Sequence, residues 1–133
     1  MTPMEQLSSD EDIALAREKY SKWHRPPTLS TSCYMVDMDW VEMRVVNGQL
    51  TPVAFIECIT YHGENIVNAD KEKPLTKAKE ALCNYLAKTI PTYVVWVNPE
   101  KLGQNADFLV KRIGREYARV LAEADYKQFI ELL

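Results

Sequence analysis

Hydrophobic and polar positions alternate with a period close to two from Cys33 to Thr60, with one break at Asn47-Gly48. That period belongs to strands, whose successive side chains point to opposite faces. Asn-Gly accepts positive φ at both central turn positions, so the stretch reads as two strands, about 33–46 and 50–60, closed by a tight turn. On the first strand Met35, Asp37, Asp39, Val41 and Met43 share a face. On the second, Val53, Phe55, Glu57 and Ile59 share one, and Ala54, Ile56, Cys58 and Thr60 share the other. Upstream, Ser9 followed by Asp10-Glu11-Asp12 supplies an N-cap and acids for the positive end of a helix dipole. Ile13, Ala16, Tyr20 and Trp23 then recur at helical spacing, and His24-Arg25-Pro26-Pro27 stops the helix.

Downstream of the hairpin the pattern changes. Residues 61–74 are polar and charged, with Gly and Pro, and read as a loop. Thr76 is an N-cap for a helix of about Lys77–Lys88, whose apolar face is Ala78, Leu82, Tyr85 and Leu86. Thr92–Val97 is apolar on both faces and rich in β-branched and aromatic residues. It reads as a central strand, and the preceding helix crossover favours parallel pairing with the second strand. Phe108–Ile113 reads as a shorter fourth strand. A closing helix starts near Ala118 or Ala124 and carries Tyr126, Phe129, Ile130 and Leu133 at helical spacing. The expected architecture is α/β or α+β. It is one domain over 1–133, with a small mixed sheet of about four strands flanked by helices in the order αββαββα.

A chain of 133 residues can bury a core without staples, and its 47% hydrophobic and 26% charged residues are ordinary for a globular domain. The net charge of -3 argues against a basic coat for non-specific nucleic-acid binding, while leaving room for a local basic patch. Three widely spaced cysteines, Cys33, Cys58 and Cys83, form no CxxC pair and suggest free thiols in a reducing compartment. No apolar run reaches the length of a membrane span and no signal-peptide layout opens the chain, so a cytoplasmic location and no membrane partner are expected.

Asp37, Asp39 and Glu57 stand inside expected apolar strands. Burying a carboxylate is costly unless a metal ion, a basic partner or a shared proton compensates it. Register decides whether these acids meet. A strict two-residue turn closing Val46 on Gln49 places Glu57 opposite Met38, with Glu57 and the aspartates on opposite faces. A three-residue loop would set Asp37 opposite Glu57. A bulge at Pro52, which has no N–H for the ladder, would bring Asp39 opposite it. Converging carboxylates make a hard-oxygen site for Mg²⁺ or Mn²⁺, and a nearby lysine adds positive charge.

With Val36-Asp37-Met38-Asp39-Trp40, the turn, and Ala54-Phe55-Ile56-Glu57 before a helix and an apolar strand, the chain resembles the PD-(D/E)xK nuclease superfamily over about residues 10–113. The resemblance implies a restriction-endonuclease-like fold and metal-dependent hydrolysis of DNA phosphodiesters. Asp39 or Asp37 would be the first acid and Glu57 the second, with Asp37, Asp39 and Glu57 as metal ligands. It also implies a lysine at position 59, where this chain has Ile59. In some members the lysine comes from the following helix, so Lys79, or else Lys77, would stand in for it. Small proteins of this layout are familiar from phages and mobile elements, which implies a bacterial or phage-infected cell. DNA is the implied partner, with RNA, a second copy or another protein as further partners. Two alternatives stand beside this reading. One is a catalytically silent descendant that binds nucleic acid or protein. The other is an unrelated α+β interaction protein whose acids pair with Lys or Arg.

Other residues carry weaker signals. Lys73 and Lys77, with Lys71 and Lys79, cluster around Pro74 and would contact phosphates or line a solvated helix start. Tyr34, Trp40, Tyr93 and Trp96 would stack on bases or pack between layers. His62 would serve Glu57 as a ligand or base, or have no role. Cys58 lies beside Glu57 but points to the other face, without an evident base. No P-loop, GxGxxG, GxSxG or HExxH is present.

Overall fold

The computed structural model describes residues 10–23, 36 and 38–133, which fall in two units, 1–37 and 38–133. The first contains helix α1, Asp10–Trp23, with acids in its first turn and a Glu18–Lys22 ion pair of 2.9 Å one turn apart. The expected Ser9 cap, the stop at His24–Pro27, residues 28–32, Cys33–Met35 and Asp37 lie outside the described residues.

The second unit is built on one mixed five-stranded sheet in sequential order. Its strands are β1 (Trp40–Val46), β2 (Gln49–Thr60), β3 (Thr92–Val97), β4 (Asp107–Arg112) and β5 (Arg119–Ala122). Its helices are α2 (Ala69–Glu72, one turn), α3 (Lys77–Leu86) and α4 (Glu123–Glu131). The class is mixed α and β, as expected. The count of four strands and the order αββαββα are corrected: there is a fifth strand, Arg119–Ala122, where a helix start or linker is read from the sequence. It is four residues long, below the length at which alternation is legible. The loop expected over 61–74 holds a 3₁₀ turn at Ile66–Asn68 and the single turn α2.

The hairpin closes as a strict two-residue turn, with Val46 opposite Gln49 and φ of 51° at Asn47 and 76° at Gly48. Positive φ at both positions is what twists the flanking strands together. Register then shifts once: Met43 faces Pro52 but Glu42 faces Ala54, so Val53 is the extra residue of a bulge beside the proline. β2 and β3 pair in parallel through the α3 crossover, and every other neighbouring pair is antiparallel.

The central strand β3 is buried on both faces, and each face has its own cover. On one, Ile56, Val95, Phe108 and Val110 meet Tyr126, Phe129 and Ile130 of α4. The Phe108 and Tyr126 rings stack 4.0 Å apart with 6° between planes, and Tyr93 meets Phe129 edge-on at 5.0 Å. Glu123, at the start of α4, accepts backbone N–H groups of Gly103 and Ala106 at 3.0 Å and pins that loop to the helix. On the other face Tyr61, Ala69, Val94, Trp96 and Leu109 pack with Ile59, Ile66 and Leu75. There Trp96 Nε1 donates to the Lys73 carbonyl at 2.8 Å and Tyr61 donates to Glu72, which holds the 61–74 segment against the sheet.

Candidate active site

Glu57 lies in the buried stretch Ala54–Glu57 of β2 and is 4% exposed. Its face is set by alternation. It pairs in register with Val94, a member of the cluster under α2 and the 61–74 segment, whereas its neighbours Ile56 and Cys58 pair with Tyr93 and Val95. The bulge at Val53 decides the other partner. With Trp40 opposite Ile56, the next step places Asp39 opposite Glu57 and on its face. Asp39 precedes β1 and is anchored there, its Oδ2 accepting the Cys58 backbone N–H at 2.9 Å.

The cation comes from α3. Thr76 caps this helix by accepting the Lys79 backbone N–H at 3.3 Å, which puts Lys79 in the first turn. A cation at the positive end of a helix dipole is unfavourable by itself. Here its Nζ lies 2.7 Å from Glu57 Oε1, an ion pair whose lysine side chain is 22% exposed and whose glutamate is 5% exposed. The second carboxylate oxygen, Glu57 Oε2, is buried and receives no hydrogen bond from the described residues. Burial raises the Glu57 pKa from its ordinary value. Lys79 opposes that shift, and the neighbouring Asp39 carboxylate adds to it. Two carboxylates side by side with one orphaned oxygen are an arrangement that a shared proton or a cation completes.

The arrangement fits a hard divalent cation in kind. Mg²⁺ is commonly held by one or two carboxylates, with waters and substrate oxygens filling the remaining positions. Asp39 and Glu57, with the open oxygen Oε2, would be those ligands. Among the described residues no group of three or more His, Cys, Asp or Glu side chains gathers around a metal position, and Asp37 lies outside them.

Asp39, Glu57 and Lys79 thus come together. Lys77 is exposed at the start of α3 and Ile59 packs in the apolar cluster, so of the two helix lysines only Lys79 reaches Glu57. Lys73 donates from Nζ to the Thr60 carbonyl at 3.0 Å and closes the loop after β2. His62 is exposed, and Trp96 is a buried packing residue. Burial, then the charges of Asp39 and Glu57, push the Cys58 thiol up to about 11, which removes it as a nucleophile near neutral pH. One neighbour escaped the sequence reading. Cys83, fully buried one turn after Lys79, feels Glu57, Lys79 and Asp39, and its thiol is also pushed up to about 11, first by burial. The four-residue spacing from Lys79 was the available signal.

Comparison of the chain with protein-family models, curated proteins and solved structures gives no match.

Proposed function

We propose that Asp39, Glu57 and Lys79 form a metal-dependent phosphodiester-hydrolysing site of the PD-(D/E)xK kind, with the lysine supplied from α3 instead of position 59. The observation that carries the reading is the buried Glu57, with Lys79 on one oxygen at 2.7 Å and no hydrogen bond from the described residues to the other. Asp39 and Glu57 would hold Mg²⁺ or Mn²⁺, and when bound the ion lowers the pKa of water and neutralises charge on a phosphoryl oxygen. Asp39 is held in place by the Cys58 N–H and Glu57 by the strand and Lys79, so both carboxylates are fixed before substrate arrives. The Lys79 ammonium supplies positive charge beside the position where negative charge grows on the phosphate, and it orients the attacking water. DNA is the proposed substrate.

The test is cleavage of single-stranded, duplex and branched DNA with Mg²⁺ or Mn²⁺. Glu57→Ala is expected to lower the rate by about 10³-fold. Cleavage that survives this substitution rules the site out. The short Lys79–Glu57 pair also favours a second reading, in which the lysine only neutralises a buried acid of a silent nuclease-like fold. Calorimetry separates the two: the silent fold takes up no Mg²⁺ or Mn²⁺ at Asp39 and Glu57.

A further inference from the structure

The sheet face opposite Glu57 carries a different kind of site. At its end, β3, β4, α4 and the loop from β4 to β5 enclose a groove of about 460 Å³, lined among others by Tyr93, Arg112, Arg115, Tyr117, Arg119 and Phe129. Glu116 also lines it, so the local charged set is three arginines against one acid in a chain of net charge -3. Among the described residues none of these arginines is ion-paired to a carboxylate. Two lie instead against rings, Arg112 5.9 Å from the Tyr93 centroid and Arg119 5.9 Å from the Phe129 centroid. The pairings follow from topology: Tyr93 and Arg112 are partners in the β3–β4 register, and β5 brings Arg119 next to α4. Tyr117, at 79% exposed, presents its ring to solvent at the same groove.

An unpaired guanidinium is a strong donor to phosphate, and a nearby ring does not take up its N–H groups. Three unpaired arginines, two of them near rings, beside the exposed Tyr117 match an anionic backbone carrying flat bases. A duplex keeps its bases stacked and inaccessible, whereas a single strand offers them to an aromatic side chain. We infer that this groove binds single-stranded nucleic acid, with Arg112, Arg115 and Arg119 on phosphates and Tyr117 stacked on a base. The inference goes beyond the hydrolytic reading and stands on separate residues, because the groove lies on the α4 face and Glu57 on the other.

The test uses the full chain with a fluorescent oligo(dT) of about 15 nucleotides, read by anisotropy in EDTA so that neither metal nor cleavage contributes. Saturable binding is expected, with log K falling against log salt at a slope of about -2 for three phosphate contacts on a single strand. The four residues to be changed are all exposed, so the variants are expected to keep the parent circular dichroism. The combined variant Arg112→Gln/Arg115→Gln/Arg119→Gln should weaken binding at least about tenfold. Tyr117→Leu should weaken it about tenfold for oligo(dT) and leave heparin binding unchanged. The inference is overturned if no saturable binding occurs, if the arginine variant binds as tightly as the parent, or if Tyr117→Leu has no effect, which would make the groove a plain anion site. Arginine-dependent binding by a chain that cleaves nothing would sink the hydrolytic proposal and leave this one standing.

Discussion

The two faces of the sheet are made from alternate residues of the same strands, yet they solve opposite problems. Under α4, Ile56, Val95, Phe108 and Val110 meet a helix of aromatic and aliphatic side chains, and the layer is closed by ring stacking. On the other face the same strand β2 buries Glu57 against Lys79, beside Asp39 and Cys83, with one oxygen receiving no hydrogen bond from the described residues. The first face lowers the free energy of the fold by removing apolar surface from water. The second raises it by desolvating charge that the ion pair only partly offsets. Without the bulge at Val53 the β1 register would slip by one residue and Met38 instead of Asp39 would stand opposite Glu57, which is why that bulge matters more to the site than any single side chain.

The contrast can be broken from the stable side first. Phe108→Ala removes a ring that is 5% exposed and stacked on Tyr126, and should cost about 3–5 kcal/mol in urea unfolding. It should leave the Asp39–Glu57–Lys79 site unchanged in the folded fraction, so any divalent-ion binding proposed there should persist. Next, Lys79→Met strips the cation from a nearly buried carboxylate and should cost about 2 kcal/mol at pH 7. Much of that loss should return at acid pH, where Glu57 is protonated. A loss that is the same at both pH values would show that Lys79 acts through packing alone.

If the carboxylate pair takes up a divalent ion, millimolar Mg²⁺ or Mn²⁺ should raise the melting temperature by about 2–4 °C, with no shift in Asp39→Asn or Glu57→Gln. The smallest effect is the pH slope. Glu57 has its pKa raised above the ordinary value of 4.5, so the folded state holds its proton more tightly than the unfolded chain. The stability it contributes is fully present below pH 4.5 and is lost as pH rises through the folded-state pKa. The stability of the parent chain minus that of Glu57→Gln should therefore fall between pH 4 and pH 7. A difference that grows over this range would mean that Lys79 outweighs burial.

Strand β3 is legible to the residue because Thr92–Val97 is apolar throughout and faces neighbours on both sides. The Asn47-Gly48 turn and the Thr76 cap are legible because the chemistry of each acts within four residues. Strand β5 is not, since Arg119–Ala122 is short and its residues are mostly exposed. Nor is the groove around Arg112, Arg115 and Arg119, because it takes α4 and β3 to turn scattered arginines into one surface.

Local signals in the chain set the Asn47-Gly48 turn, the Thr76 cap and β3, place Glu57 inside an apolar strand, and offer two helix lysines able to stand in for Ile59. Only the tertiary structure decided that Asp39 rather than Met38 faces Glu57 and that Lys79 rather than Lys77 pairs with it. The reason is physical. Period and capping act between near neighbours in the chain, whereas the bulge and the α3 crossover decide which distant side chains share a face.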